Sequence, residues 1–226
     1  MKLTKVTITG IDERTDLHEL CWLSDEYPFV EFGVLLSKNR EGKEPRYPSR
    51  KWIDDAVRGY IDDDVQLAGH LCGSFARDHL IWAINRNDQF RRFGRIQLNG
   101  LRAYGSTVKE IDQLSEETNK TFILQVSHWN SFSGTAPQHG VEFLIDNSGG
   151  RGKPLEYFTE PPTGIRGGYS GGISPSNIQS ILEILADPKT DTPFWIDMES
   201  GVRTDDWFDI NKAGECLKIA SAFARK

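Results

Sequence analysis

The sequence predicts a (β/α)8 barrel, and three features of its 226 residues point to that fold. Eight short runs of apolar and β-branched residues have the length of strands, and most are followed by a stretch with helical spacing. The chain is close to the roughly 200 to 250 residues of compact barrels of this kind. Glycine-rich turn signals follow the sixth, seventh and eighth runs, where a barrel would bring them to one rim. An open, doubly wound sheet is the alternative.

The first half of the chain alternates between strand and helix patterns. LTKVTIT alternates apolar with polar or β-branched residues and ends at Gly10, as a first strand and its turn do. In the second strand, Glu31 interrupts an apolar run and is expected either inside the barrel or at an edge. Ser49 is expected to cap the second helix. The predicted elements are strand Leu3–Thr9, helix Thr15–Leu23, strand Phe29–Leu36, a helix after Ser49, strand Val65–Cys72, helix Phe75–Ile84 and strand Phe93–Leu98.

The second half continues the alternation. A polar helix anchored by Ile111 and Leu114 is expected after the fourth strand. Ser174 and Pro175 are expected to begin the helix after the seventh strand, because proline suits the first helical turn. The predicted elements are helix Val108–Thr118, strands Phe122–Val126, Val141–Asp146 and Gly164–Tyr169, a helix from Ser174, strand Phe194–Met198 and a last helix from Asp205 to Phe223.

The composition favours a cytoplasmic enzyme with one core. The net charge of −6 makes nucleic acid or an anionic membrane an unexpected partner. The three cysteines, Cys21, Cys72 and Cys216, are too few and too widely spaced for a disulfide framework or a Cys-x-x-Cys metal site. The first residues contain no apolar signal segment, and no run approaches the roughly twenty apolar residues of a membrane span. No linker or repeat divides the chain, so one domain is expected over 1–226.

The segment Val141–Lys153 carries the clearest sign of a binding site. Asp146 follows an apolar run and should lie at the carboxyl end of the sixth strand, where α/β folds place their chemistry. The turn after it contains Gly149, Gly150 and Gly152, which let the backbone approach an anion and point amide hydrogens at it. An acid beside such a turn indicates a phosphorylated small-molecule substrate. A plain surface turn is the alternative.

Two further glycine turns follow the seventh and eighth predicted strands. Gly171, Gly172, Ser200 and Gly201 could bind phosphate through backbone amides and the serine hydroxyl, aided by the helix that starts near Ser174. In a (β/α)8 barrel, a phosphate site commonly forms after strands seven and eight. For the two adjacent glycines, a tight strand-to-helix connection without a ligand is the alternative.

Seven short motifs occur in the order and spacing of one enzyme family. They are TITGID, FVEFGVLLSKN, EPRYPS, RIQLNG, LIDNSGGRGK, YSGGISPSNI and DMESGV. Through these motifs most of the chain resembles phosphoribosylanthranilate isomerase, a tryptophan-pathway barrel that catalyses an Amadori rearrangement without a cofactor. The resemblance implies a barrel that binds a phosphoribosyl compound and needs neither cofactor nor metal.

The same resemblance implies roles for individual residues. Asp146 matches the general acid and Arg46 the arginine that holds the substrate carboxylate. The positions that match the phosphate grip are Gly150, Gly152, Gly171, Gly172, Ser200 and Gly201. The catalytic base of the family is a cysteine at the end of the first strand, and here that position is Thr9. A threonine hydroxyl has no anionic form near neutral pH, so it needs another group to activate it.

A second departure is Asn99, which stands where the family commonly has a histidine. Residues that end or line predicted strands are candidates for a substitute base, and they are Glu31, His70, Cys72 and His128, with Asp12 on the first loop. A hydrogen-bonded structural role is the alternative for both histidines. Three functions stay open: an Amadori-type isomerase, another isomerase or lyase acting on a phosphosugar, and a non-catalytic phosphate-binding protein.

Overall fold

Eight parallel strands close into a barrel in which each strand pairs with its neighbours in chain order. The computed structural model describes residues 1–73, 76, 90–101, 105–129, 136–146, 158–186 and 190–224. The strands are β1 (Lys2–Thr9), β2 (Val30–Leu36), β3 (Leu67–Leu71), β4 (Arg95–Leu98), β5 (Thr121–Val126), β6 (Val141–Ile145), β7 (Gly167–Ser170) and β8 (Pro193–Met198). The pairing of β1 with β8, in which Val6 lies beside Ile196, closes the ring. The predicted (β/α)8 barrel is confirmed, and the open sheet is excluded.

Helices follow several of the strands. They are α1 (Leu17–Glu26), α2 (Arg50–Trp52, continued by a π-helix over Ile53–Tyr60), α3 (Gly105–Thr118), α4 (Ile178–Leu185) and α5 (Ile210–Ala220). The Ser49 hydroxyl accepts a hydrogen bond from the backbone N–H of Trp52, so the predicted cap of α2 is confirmed. The predicted helix Phe75–Ile84 lies outside the described residues except for Ala76.

The first and last helices begin later than predicted, and an aspartate sets each start. The Asp16 carboxylate accepts from two backbone N–H groups of the first turn, so α1 begins at Leu17 and not at Thr15. Asp209 caps α5 in the same way. The residues expected to open that helix form instead a hairpin of β9 (Arg203–Thr204) and β10 (Trp207–Phe208).

The amino-terminal half of the barrel interior is charged. Arg95 lies between two carboxylates, with Nη1 3.0 Å from Glu31 and Nη2 3.1 Å from Glu142. Lys5 Nζ is 3.8 Å from Glu31, and the guanidinium carbon of Arg95 lies 4.0 Å from the ring centroid of Trp195. We call Lys5, Glu31, Arg95 and Glu142 the basal ion cluster. Glu31 therefore faces the interior and not an edge. The cluster fills the amino-terminal end of the barrel, and a substrate is expected at the opposite end, where the strands have their carboxyl termini.

Apolar side chains fill the layer between strands and helices, with Phe32, Phe122, Phe143 and Phe194 at most 1% exposed. Among the described residues, no helix is long and apolar enough to cross a membrane.

Candidate functional site

A pocket opens at the carboxyl-terminal ends of the strands, and polar side chains line it. Those side chains are His70, Gln97, Asn99, Gln125, Asp146 and Asp197, and the loops 170–173 and 198–200 complete its wall. We call this the rim pocket. The alternation of strand side chains explains the composition, because every second residue near the end of each strand points inward.

Asp146 is placed at the rim pocket, as predicted. It follows directly after β6, and its backbone N–H continues the ladder to the carbonyl of Val126. The side-chain amide of Gln125 lies 3.4 Å from Asp146 Oδ2. The carboxylate is thus positioned by the ends of β5 and β6 and reaches the space where a ligand would bind.

Asp197 is a second carboxylate of the rim pocket, and sequence analysis missed it as a functional residue. It lies in β8 and is only 7% exposed. The pKa of Asp197 is raised to about 7, mainly by burial and also by Glu199 and Asp146, while the hydrogen bond from Thr9 and the charge of Arg95 oppose the shift. An acid inside the apolar run PFWIDM was the available signal, because a carboxylate in a buried strand needs a reason to be there.

Thr9 lies beside Asp197 at the end of β1. Its hydroxyl donates to Asp197 Oδ1 at 2.6 Å, and its Oγ1 is 3.4 Å from His70 Nε2. Gly33 makes this approach possible, because a Cβ there would lie 2.6 Å from Thr9 Oγ1. Burial, together with the charge of Arg95, lowers the pKa of His70 to about 3, so the imidazole is neutral near pH 7. Thr9, His70 and Asp197 form one hydrogen-bonded group.

The loop after β7 turns sharply at two glycines that line the rim pocket. Gly171 and Gly172 have φ values of 120° and 62°, which side chains disfavour. Asn177 holds the loop, since its Nδ2 donates to the Gly172 carbonyl and its Oδ1 accepts from the Ser174 N–H, both at 2.8 Å. These two hydrogen bonds hold residues 174–177 in a turn, so α4 begins at Ile178 and not at Ser174 as predicted.

Ser200 and Gly201 lie in the loop after β8, packed against the loop after β7. A Cβ on Gly201 would lie 1.9 Å from the carbonyl oxygen of Ile173, so only glycine fits there. Among the described residues, none accepts a hydrogen bond from the backbone N–H of Gly171, Gly172, Ser200 or Gly201. Four of the six predicted phosphate ligands are therefore neighbours, and Gly150 and Gly152 lie outside the described residues.

Arg46 comes from the loop before α2 and does not itself line the rim pocket, but it contacts Glu199, which does. Its Nη1 donates to Glu199 Oε1 at 2.9 Å, and its Nη2 donates to Asp206. Burial raises the pKa of Glu199, while Arg46 and Arg203 oppose that shift. The arginine predicted to bind the ligand is thus paired with two carboxylates, one of which belongs to the rim pocket.

The other candidate bases of the sequence are placed in structural roles. Glu31 belongs to the basal ion cluster. Asp12 is fully buried and accepts from Arg203 Nη2 at 2.8 Å, which ties the loop after β1 to the β9–β10 hairpin. Cys72 Sγ accepts from Asn99 Nδ2 at 3.2 Å, and burial raises the pKa of its thiol. His128 is exposed and does not line the rim pocket.

No group of three or more His, Cys, Asp or Glu side chains suited to a metal ion occurs within the described ranges. The donors of the rim pocket are instead carboxylates, carboxamides and backbone N–H groups. This set can hold hydroxyl groups and an anion and can move protons.

Comparison with known proteins yields a shared fold. N-(5'-phosphoribosyl)anthranilate isomerase from Pyrococcus furiosus superposes with a TM-score of 0.57 at 15% identity, over 97% of this chain and 99% of that one. D-psicose 3-epimerase from Clostridium cellulolyticum H10 aligns at 11% identity over 98% of this chain and 100% of that chain, with a TM-score of 0.49. No protein-family model and no curated protein matches the sequence. The comparisons therefore assign the chain to the (β/α)8-barrel fold and to no family within it.

Proposed function

We propose that this protein is an isomerase that moves a proton within a phosphorylated sugar compound by acid–base catalysis. One observation carries the proposal: Asp146 and Asp197 line the same pocket, beside backbone N–H groups of the loops after β7 and β8 that make no hydrogen bond among the described residues. An N-substituted phosphoribosyl compound, rearranged as in the phosphoribosylanthranilate isomerase reaction, belongs to this substrate class. No cofactor is required for such a proton shift.

The phosphate would bind at the loops after β7 and β8. Backbone N–H groups carry partial positive charge and bind phosphate where they converge. Gly171, Gly172, Ser200 and Gly201 offer four such groups, and the exposed Ser200 hydroxyl can add a fifth donor. The close packing of Gly201 against Ile173 brings the two loops together and so concentrates the donors.

The two carboxylates would divide the proton chemistry. Asp146 is assigned as the acid that protonates the ring oxygen and opens the sugar. Asp197 is assigned as the base that takes the C2 proton, because burial raises its pKa to about 7 and makes its carboxylate a stronger base than an exposed one. A proton is then added to C1 of the resulting enediol or enaminol while the C2 hydroxyl loses its proton, which converts the aldose into the ketose, or the imine of the aldose into the aminoketose.

Thr9 would act through Asp197. Its O–H is directed at Asp197 Oδ1, so it orients the carboxylate and does not itself abstract a proton. His70 is a poor base because its pKa is about 3. Under this assignment, a carboxylate from β8 would take the role that the cysteine has in the resembling family.

The test is turnover of phosphoribosylanthranilate and of aldopentose and aldohexose phosphates by the wild type and by Asp146→Asn and Asp197→Asn. We expect isomerisation of at least one substrate, and a loss of about 100-fold or more in kcat in each variant. A pH profile of kcat/KM should rise to a plateau above about pH 7, as Asp197 loses its proton.

Thr9 variants separate positioning from catalysis. Thr9→Val removes the hydrogen bond that lowers the pKa of Asp197, so the rise of kcat/KM should move to higher pH, whereas Thr9→Ser should keep it in place. Phosphate binding without turnover of any substrate, unchanged by either aspartate variant, would show a binding protein and would refute the isomerase assignment.

A further inference from the structure

We infer that the half of the ligand remote from the phosphate is an uncharged chain bearing hydroxyl groups, and that Gln97 accepts a hydrogen bond from one of them. The inference rests on the proposed function, because it describes the substrate of the same pocket. It departs from what the family resemblance implies, namely an N-linked ring that carries a carboxylate.

Gln97 supplies the first argument. Its side chain lines the rim pocket and is only 2% exposed. Its Oε1 makes no hydrogen bond with any described residue. A buried carbonyl oxygen without a partner is costly, and a ligand that brings a donor removes that cost.

The neighbours of Gln97 fix which atom is left for the ligand. Gln97 Nε2 donates to Asn99 Oδ1 at 2.8 Å, and Asn99 Nδ2 donates to Cys72 Sγ at 3.2 Å. Nε2 therefore has a partner within the protein, whereas Oε1 has none among the described residues and needs a donor from the ligand. A sugar hydroxyl can donate to Oε1, whereas a carboxylate can only accept.

The charges around the pocket supply the second argument. Asp146, Asp197 and Glu199 line it, and no lysine or arginine does so among the residues that the structure describes. Arg46, which contacts the pocket residue Glu199, is paired with Glu199 and Asp206. A carboxylate on the ligand would have to displace Glu199 or Asp206 from Arg46, whereas the phosphate would meet backbone N–H groups on the loops after β7 and β8.

The experiment uses two probes that differ only at C1, namely ribitol 5-phosphate with a hydroxyl and ribonate 5-phosphate with a carboxylate. Titration calorimetry of the full chain near pH 7 should give at least a 10-fold lower Kd for ribitol 5-phosphate. Gln97→Met keeps the length of the side chain without the acceptor, and should raise the Kd for ribitol 5-phosphate at least 5-fold while leaving the Kd for inorganic phosphate unchanged. Gln113→Met, on the exposed face of α3, is the matched control and should change neither value.

Each outcome decides the inference. Equal or tighter binding of ribonate 5-phosphate, no effect of Gln97→Met, or no binding of either probe would overturn it. The proposed function is judged separately by turnover: preferential binding of ribitol 5-phosphate without isomerisation of any aldose phosphate would leave this inference standing and refute the isomerase assignment.

Discussion

Asp197 and His70 are two buried ionisable residues whose pKa values are shifted in opposite directions. The pKa of Asp197 rises from 3.8 to about 7, so between those values the folded state binds a proton that the unfolded state lacks, and stability falls as pH rises. The pKa of His70 falls from 6.5 to about 3, so here the unfolded state binds the extra proton, and stability rises with pH. Between about pH 4 and 6.5 the two contributions oppose each other.

In Asp197→Asn, the effect of His70 on the pH dependence of stability should no longer be opposed by that of Asp197. Each pH unit over which one proton differs changes the free energy of unfolding by about 1.4 kcal/mol. Between pH 4 and 6.5, the free energy of unfolding of the variant should therefore increase by on the order of 3 kcal/mol relative to that of the wild type. Above pH 7 the variant should be the more stable protein. Urea unfolding at several pH values measures this, and parallel pH profiles for the two proteins would show that Asp197 is not protonated in the folded state.

At single positions, sequence reasoning reached some site residues and missed others for physical reasons. The place of Asp146 at the rim was predictable, because a residue that follows an apolar run lies at the carboxyl end of a strand, whereas Arg46 was expected only from the family resemblance. Asp197 and Gln97 were missed as functional, because their importance depends on burial and on partners from other strands. The acid in the apolar run PFWIDM was a local signal for Asp197, but no local pattern shows the partners of either residue.

The loops after β7 and β8 form one element whose geometry depends on Gly201. A methyl group there would collide with the Ile173 carbonyl, which is backbone and cannot rotate away. Gly201→Ala should lower the free energy of unfolding by about 1 to 3 kcal/mol and weaken binding of inorganic phosphate. Gly94→Ala is the control, since a Cβ there meets nothing within 4 Å, and it should change stability by about 0.5 kcal/mol or less. Equal stability of the two variants in chemical denaturation would contradict the close packing.

The basal ion cluster joins β1, β2, β4 and β6 through buried charges. Arg95→Met would leave Glu31 and Glu142 without their shared partner, at a cost of about 3 to 5 kcal/mol in the free energy of unfolding. Arg50→Met is the matched control, because it breaks an exposed i,i+4 pair worth about 0.5 kcal/mol or less. Similar losses from the two variants would mean that the cluster does not stabilise the barrel.

The predicted strands match the observed ones in number and order, whereas several boundaries moved. The seventh strand was expected from Gly164, but Gly164 has a φ of 82° and a turn joins Ile165 to Pro162, so β7 begins at Gly167. Composition reveals strands because their apolar runs are local. The turns that set the ends of the strands depend on backbone hydrogen bonds, which composition does not encode.

For the whole molecule, the barrel separates its two sets of buried charge. The basal ion cluster pairs its carboxylates with Arg95 and Lys5 at one end, whereas Asp146 and Asp197 line the rim pocket at the other. Length and periodicity predicted this barrel, because the fold depends on a repeated pattern that many sequences satisfy. The chemistry depends on a few inward-facing residues, so the shared fold leaves it open.

Solvent deuterium incorporation at C2 of an aldose phosphate is the most direct test of the proposed proton transfer. Nuclear magnetic resonance in D2O detects the exchange even when the isomerisation equilibrium hides net conversion. We predict that the wild type incorporates deuterium at C2. Asp197→Asn keeps the shape of the side chain and the hydrogen bond from Thr9, and it should lower the rate of exchange by about 100-fold or more. Exchange at the wild-type rate in Asp197→Asn would contradict the assignment of Asp197 as the base.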